Sequence, residues 1–482
     1  MPKHVVMKCR TASTGRKVTK VTTAIWWARR DLRLADNQAL NLALNRADTV
    51  IPVFIVDPQL MDGSAPKRET FLRNAIASLA DEMRTRGSQL ILRQGEPIQE
   101  LRRLMEETGA QIIIAESDHS PFAKARDNRA AAALPIEFTG GITVHPPESV
   151  RKPDGSPYTI FTPFMKFWKA LPMAGDPIPA PKSLPAIPEL TSIELPAAPP
   201  ISDFPAVENF AYERLREFFH SSIFDYGEAR NRMDIDGTSR LSPYLRFGLI
   251  SPRVLISAIF RVIEETDNKI SKQSCIAWLN EIIWREFYFN ILDHFPFVLK
   301  MSFRENLRSI PWRDMPSDLA AWQNGLTGYP VVDAAMRQLN ETGWMHNRAR
   351  MITASFLTKD LLINWQAGES WFLRQLLDGD PASNNGGWQW AAGTGTDAAP
   401  YFRIFNPVLQ SQKFDPNGDY VRRWVPELAK LPKNYIHSPW QTPMDVQSQF
   451  GIRMGKDYPL PIVDHQFARL RTLQAYKSAK SD

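Results

Sequence analysis

Cysteine is almost absent: the 482-residue chain has only Cys9 and Cys275. Two thiols cannot build a disulfide framework or a cysteine-based zinc site, which fits a reducing compartment. No apolar run is long enough to span a bilayer, so no membrane attachment is expected. Residues 1–20 carry Lys3, Lys8, Arg10, Arg16, Lys17 and Lys20 and no acid. This segment lacks the apolar stretch of a secretory signal and reads as a basic disordered tail over 1–21. No Gly-x-Gly-x-x-Gly follows the first expected strand, which argues against a dinucleotide held by its pyrophosphate on the first helix. There is no nucleophile elbow, so a Ser–His–Asp hydrolase is not expected. His346 has no cysteine or second histidine at ligand spacing; it reads as a structural or capping residue, and no metal site is expected.

What is present is more telling. The chain holds 14 Trp and 38 Pro, with a net charge of +6 and a pI near 9.1. That balance favours a polyanionic partner where the charge is clustered. With 43% apolar and 23% charged residues, the length supports two or three domains stable without staples.

From residue 22 short apolar runs alternate with helical patterns. Strands are expected over 23–27, 50–56, 89–92 and 111–115, and helices over 37–47, 67–86, 98–108 and 121–133. This alternation predicts an α/β domain over 22–150, a doubly wound, Rossmann-like parallel sheet covered on both faces. Ligands of such sheets sit at the carboxyl ends of the strands. Asp118-His119-Ser120-Pro121-Phe122 follows one such end, and reads either as a binding lip or as a plain N-cap with Ser120 before Pro121. Proline then crowds the chain between 171 and 207, so 151–207 is expected to be an extended interdomain linker. Beyond it a 3.6-residue period dominates, with helices expected over 208–221, 252–265, 272–293, 329–341, 346–363 and 369–378. An all-α domain is thus expected over 208–470, followed by a short tail over 471–482.

Four stretches carry chemistry. Asp378-Gly379-Asp380-Pro381-Ala382-Ser383-Asn384-Asn385-Gly386-Gly387-Trp388-Gln389-Trp390 reads as a turn forming the wall of a pocket for a flat, polar-edged molecule. Thr238-Ser239-Arg240-Leu241-Ser242, preceded by Tyr226, reads as an anion cradle or an ordinary N-cap. Trp278, Glu281, Trp284, Arg285 and Tyr288 share one side of a helix. They either grip a heterocycle or form a core stripe in which Glu281 pairs with Arg285. Trp344, Asn347 and Met351 are expected on one face, with Arg348 and Arg350 flanking it.

With these residues in view, the chain resembles the photolyase/cryptochrome flavoprotein family from 22 to 468, and within it the class I cyclobutane pyrimidine dimer photolyases. The resemblance rests on Arg29-Arg30-Asp31-Leu32-Arg33, Asp36-Asn37, Gly237 through Ser242, Trp278 through Tyr288, and Thr342-Gly343-Trp344-Met345-His346-Asn347-Arg348. Asp378 through Trp390, Tyr401-Phe402-Arg403-Ile404-Phe405-Asn406-Pro407 and Tyr458-Pro459-Leu460-Pro461-Ile462-Val463 also match.

The resemblance implies a deoxyribodipyrimidine photo-lyase carrying FAD in the helical domain. Excited, reduced, anionic FAD would pass an electron to a flipped-out dimer in DNA and split it into two pyrimidines. Tyr226, Thr238, Ser239, Arg240, Leu241 and Ser242 would hold the FAD phosphates. Trp278, Arg285, Arg350, Asp378, Gly379, Asp380 and Asn384 would bind the rest, with Asn384 facing flavin N5. Glu281, Asn347, Met351 and Asn384 are the implied catalytic set, and Trp284, Tyr288 and Trp390 the implied walls. Arg230, Arg285, Arg348, Arg403 and Gln410 would lie along the DNA strand. Trp388, Trp365 and Trp312 match the family's electron chain.

For a second, antenna chromophore, Asp118-x-x-Pro121-Phe122 favours 8-hydroxy-deazaflavin over FMN or methenyltetrahydrofolate. The implied partner is DNA containing cyclobutane pyrimidine dimers. A monomer is expected, in the cytoplasm with the nucleoid if the source is prokaryotic. The competing expectation is a cryptochrome-like blue-light receptor that binds FAD and signals without repair. Asn347, Met351 and Asn384 argue against it.

Overall fold

The computed structural model describes residues 20–172 and 175–479. The expected basic tail lies outside these residues except for its last two, and Val21 already opens the first strand. Five strands, β1 Val21–Ala28, β2 Ala47–Val56, β3 Ile91–Gln94, β4 Ile112–Glu116 and β5 Ile136–Thr139, form a wholly parallel sheet in the order β3-β2-β1-β4-β5. Apolar β1 and β2 are buried in the middle, whereas β5 is half-buried at an edge. The helices α1 Gln38–Arg46, α2 Pro66–Thr85, α3 Pro97–Thr108 and α4 Pro121–Ala133 cross over between strands. Sequence expectation and structure agree here to within a few residues, β5 excepted. The Asn37 side chain accepts from the Leu40 N–H, and Ser120 accepts from Ala123 with Pro121 in the first turn. The cap reading of the Asp118–Phe122 stretch therefore holds.

The strand order reverses between β1 and β4, which opens a crevice at their carboxyl ends. Arg29 and Arg30 leave β1 there, and Asp118 follows β4. Arg29 pairs with Asp127 at 2.6 Å, and both Arg29 and Arg126 lie over the Trp27 ring.

The expected linker over 151–207 is only partly a linker. A helix, α5 Phe161–Ala170, sits within it and buries Phe161, Phe164 and Trp168 against the long helix Lys269–His294. Phe161 stacks on Trp284 at 3.7 Å between ring centres and 5° between planes. The proline-rich stretch 175–207 has no helix or strand and lies along the surface.

The remainder is helical as expected, with differences at the ends. The helix predicted over 346–363 is Asn347–Ser355 followed by a π-helical turn, Phe356–Asp360. The supposed tail after 470 belongs to the helix His465–Ser478, which buries Thr472, Ala475 and Tyr476. No helix among the described residues is long and apolar enough to cross a membrane.

The two halves are fused by buried polar contacts. Leu32 N–H and an Arg33 guanidinium N–H donate to the carbonyls of Phe247 and Gly248 at 3.2 and 3.1 Å. Glu208 accepts from the N–H groups of Leu34 and Ala35 at 2.7 and 2.9 Å, and the Ser251 hydroxyl meets Asp36 at 2.5 Å. Gly248 has φ +68°, and a Cβ there would fall 1.9 Å from the Arg30 carbonyl oxygen, so only glycine fits. The Arg29–Asn37 motif is thus an interdomain clasp.

Glu286 adds a second brace. Its carboxylate accepts from the N–H groups of Val144 and His145 and from the Trp168 indole, the last at 2.6 Å. Burial pushes its pKa up to about 6, against the pull of those donors. Glu286→Ala would strand three donors in a buried site, each costing ~1–3 kcal/mol. A destabilisation on the order of 3 kcal/mol or more is expected in urea unfolding, with Glu286→Gln recovering part of it.

Candidate functional site

The stretch that looked like a turn is the start of a helix. Asp380 accepts from the N–H groups of Ala382 and Ser383 at 2.9 and 3.4 Å, Pro381 fills the first turn, and the helix runs Pro381–Ala392. Asn384, Asn385, Gly386 and Gly387 are poor helix formers, so tertiary packing holds this segment helical. A Cβ on Gly386 would lie 2.1 Å from the Tyr288 ring, and one on Gly368 2.1 Å from Trp388. Both contacts need glycine, and they press the helix against Lys269–His294 and Trp365–Gln375. Gly387 differs, because a Cβ there would meet nothing within 4 Å. It faces open space.

That space is a cavity of about 460 Å³. The Asp380-capped helix contributes Ser383, Asn384, Gly387, Trp388 and Trp390 to its wall. Lys269–His294 contributes Trp278, Glu281, Trp284, Arg285 and Tyr288. Asn347 and Met351 enter from Asn347–Ser355, one turn apart. Tyr226, Arg230, Ser239, Leu241 and Ser242 close another side, and Arg350, Asp378, Gly379 and Asp380 complete the polar end. Sequence positions spread from 226 to 390 thus converge on one chamber, as the separate stretches suggested.

Specific bonds orient these side chains. Arg350 grips Asp378 with contacts of 2.9 and 3.2 Å. The Asn384 side-chain amide donates to the Glu369 carbonyl at 3.0 Å, which leaves its oxygen as the free acceptor. Asn385 donates to the Glu369 carboxyl at 2.9 Å, and burial pushes that carboxyl up to about 7. Glu281 pairs with Arg230 at 2.7 Å rather than with Arg285, so the expected intrahelical pair does not form. Burial raises the Glu281 pKa against the opposing pull of Arg230. Arg285 donates to the Ile142 carbonyl at 2.7 Å instead and lies over Phe289. The Trp278 indole N–H reaches the Ser239 hydroxyl at 3.3 Å.

Several expected residues lie elsewhere. Arg240, the expected fixed charge of the anion cradle, has φ +50° and lies over Phe204 and Trp344, with Asp203 and Asp236 3.9 and 3.8 Å away. Neither it nor Thr238 lines the cavity. Trp344 precedes its helix and packs beneath Arg240, so it does not share the cavity face with Asn347 and Met351. Arg348 lies over Phe414 and bonds Asn231 at 2.5 Å. Arg403 is exposed and Gln410 half-buried, both outside the cavity lining. His346 caps its helix by accepting from Arg348 N–H at 3.1 Å, as expected of a capping residue, and burial holds its pKa down near 4. Trp388 and Trp365 are both buried in one core with the half-buried Trp312 packed against it, and of the three only Trp388 touches the cavity.

The sequence reading missed Arg30 and Arg246. Arg30 comes from the α/β domain and bonds Asp380 at 2.6 Å, and the Arg246 Nε–H donates to the Gly379 carbonyl at 2.8 Å. Arg246 falls just after the hydroxyl-rich stretch and could have been suspected from that. Nothing near Arg30 in the chain points to Asp380.

The described chain compares closely with known proteins. Residues 24–182 match the family model described as DNA photolyase, and 278–478 match the FAD binding domain of DNA photolyase. A deoxyribodipyrimidine photo-lyase from Agrobacterium fabrum is 40% identical, covering 96% of this chain and 99% of that one. The crystal structure of a bacterial class III photolyase from Agrobacterium tumefaciens superposes with a TM-score of 0.90 at 39% identity, covering 98% and 100% of the two chains. A Synechocystis cryptochrome superposes with a TM-score of 0.85 at 30% identity, covering 95% and 99%.

The Glu369 carboxyl yields a pH prediction. Its pKa is raised from 4.5 to about 7, so the stability of the neutral form is present below 4.5 and lost as pH rises through 7. Glu369→Gln is therefore expected to gain in melting temperature over the wild type between pH 5 and pH 8. A constant difference across that range would mean Glu369 titrates normally.

Proposed function

This chain belongs to the photolyase/cryptochrome flavoprotein family, and from that premise we propose that it repairs cyclobutane pyrimidine dimers in DNA by light, with FAD as the electron donor. One observation carries this reading. The polar set suited to a flavin (Asp378, Asp380, Asn384 and Arg350) and the set suited to a flipped pyrimidine dimer (Glu281, Asn347, Met351, Trp284 and Trp390) line a single cavity. The residues fit FAD: Gly387 leaves its helix face clear, two carboxylates are fixed as acceptors for ring N–H groups, and the Asn384 oxygen is left free. Bound and reduced, FAD supplies under light the electron that opens the cyclobutane ring.

The protein's own groups supply the rest. Asn384 presents a neutral acceptor where a carboxylate would repel an electron-rich ring. Glu281, held by Arg230 at 2.7 Å, can accept from a pyrimidine N–H, while Asn347 reads the base edge and Met351 offers soft contact. Trp284 already stacks on Phe161, so its cavity side is a fixed wall for a flipped base. Taking the dimer out of the duplex costs less than extruding a normal base, because a damaged step stacks poorly. Arg348, Arg403 and Gln410 fit contacts along the strand, which makes binding salt-dependent and largely indifferent to sequence. Trp388, Trp365 and Trp312 serve as the route by which electrons re-reduce the cofactor. For the antenna, the Asp118-x-x-Pro121-Phe122 pattern favours 8-hydroxy-deazaflavin over FMN and methenyltetrahydrofolate, and the absorption spectrum of the purified protein distinguishes them.

The Synechocystis cryptochrome supports a second reading, FAD-dependent light sensing without repair. A thymine-dimer oligonucleotide under blue light with the reduced protein decides between them. Repaired thymines are expected, and their absence would leave the sensing role. Glu281→Ala is expected to weaken repair by ~1.5–3 kcal/mol, one hydrogen bond to a charged group, with FAD still bound. Loss of the flavin instead would make Glu281 structural. Trp388→Phe is expected to slow photoreduction of oxidised FAD while sparing repair by pre-reduced protein; equal loss of both would refute the electron route.

A further inference from the structure

We propose that Arg30 is a positioning residue for the redox site: it reaches from the α/β domain into the cavity wall, fixes Asp380, and leaves surplus positive charge there that favours the reduced, anionic flavin. This rests on the FAD reading above.

The geometry is specific. One Arg30 nitrogen donates to Asp380 Oδ2 at 2.6 Å and the other to Asp118 Oδ2 at 3.4 Å. Asp380 therefore divides its two oxygens, with Oδ1 capping its helix and Oδ2 held by Arg30. Arg30 itself lines the cavity, so its charge lies in the wall of the binding site as well as in the domain interface. An ordinary interdomain ion pair has no need to border the chamber.

The charge balance shows the direction. Around Asp380 lie Arg30 at 2.6 Å and Arg246 at 4.0 Å, with Arg285 also attracting it. Asp118 is the other carboxylate that engages Arg30. Glu286 also attracts Arg285, and Arg68, drawn to Asp380, adds to the repulsion on Arg246. Four guanidiniums thus face three carboxylates, and one positive charge remains unmatched. The crowding is visible in the cations. Burial, reinforced by repulsion from Arg30, presses Arg246 down to about 9 and Arg285 to about 10. An anion in the cavity relieves that repulsion and a neutral ring does not. Asp118 works from the other side, drawing on Arg30 from the crevice at the sheet's switch point.

The test is the midpoint potential of FAD in the full-length, flavin-loaded protein, followed by absorbance during reductive titration. Arg30→Ala is expected to lower the potential, and Arg30→Lys to restore most of it. Asp118→Asn, which removes a compensating negative charge, is expected to raise it. A merely structural Arg30 would move all variants the same way or not at all. An unchanged potential in Arg30→Ala overturns the proposal, and so does an unchanged or lowered potential in Asp118→Asn. The second criterion stands even where Arg30→Ala fails to fold. A wild-type protein that holds no flavin would instead overturn the FAD reading, and this inference with it.

Discussion

The Asp380 carboxylate joins three levels of this structure. One oxygen satisfies the open N–H groups of the helix Pro381–Ala392, and the other receives a guanidinium from the opposite domain. A buried carboxylate alone would be neutralised by desolvation. Here Arg30, Arg246 and Arg285 outweigh that penalty and lower its pKa, so the charge is retained inside the protein. Because the cap and the ion pair share one side chain, the start of the helix and the approach of the two domains cannot be set independently. The direction of Asn384, Gly387 and Trp388 toward the cavity follows from that helix start.

The rest of the cavity inherits this arrangement. Lys269–His294 supplies the aromatic wall, but Phe161 from the interdomain segment backs Trp284, and Glu286 ties the long helix to residues 144, 145 and 168. The α/β domain is therefore structural for the helical site through Arg30 and the clasp at Gly248, and the interdomain segment is so through α5. Chemistry located in one domain depends on packing that neither domain has alone.

Legibility in the sequence followed the locality of each signal. β1, β2 and β4 were readable because buried parallel strands are short apolar runs, whereas β5 is a half-buried edge strand with no such contrast. α5 was hidden by Pro163 and the proline-rich chain around it, although Phe161, Phe164 and Trp168 fall on one helical face. The helix Pro381–Ala392 was concealed by its own composition, since glycines and asparagines signal a turn unless close packing requires them. Most cavity residues were found, because motifs carried them. Arg240 and Trp344 were misplaced because their mutual stacking with Phe204 depends on chain far away in sequence. Arg30 was missed for the same reason: its partner lies 350 positions on.

The glycine contacts against Tyr288 and Trp388 also bear on how electrons move. A helix packed this closely against neighbouring rings has little room to shift toward them when charge in the cavity changes. Dipoles that do not shift contribute little to the reorganisation energy of charge separation. A small reorganisation energy lets a transfer of modest driving force proceed quickly and slows the wasteful, strongly downhill return. In the proposed repair, the missing side chains at Gly368 and Gly386 would then bear on the yield of each absorbed photon, although neither glycine lines the cavity.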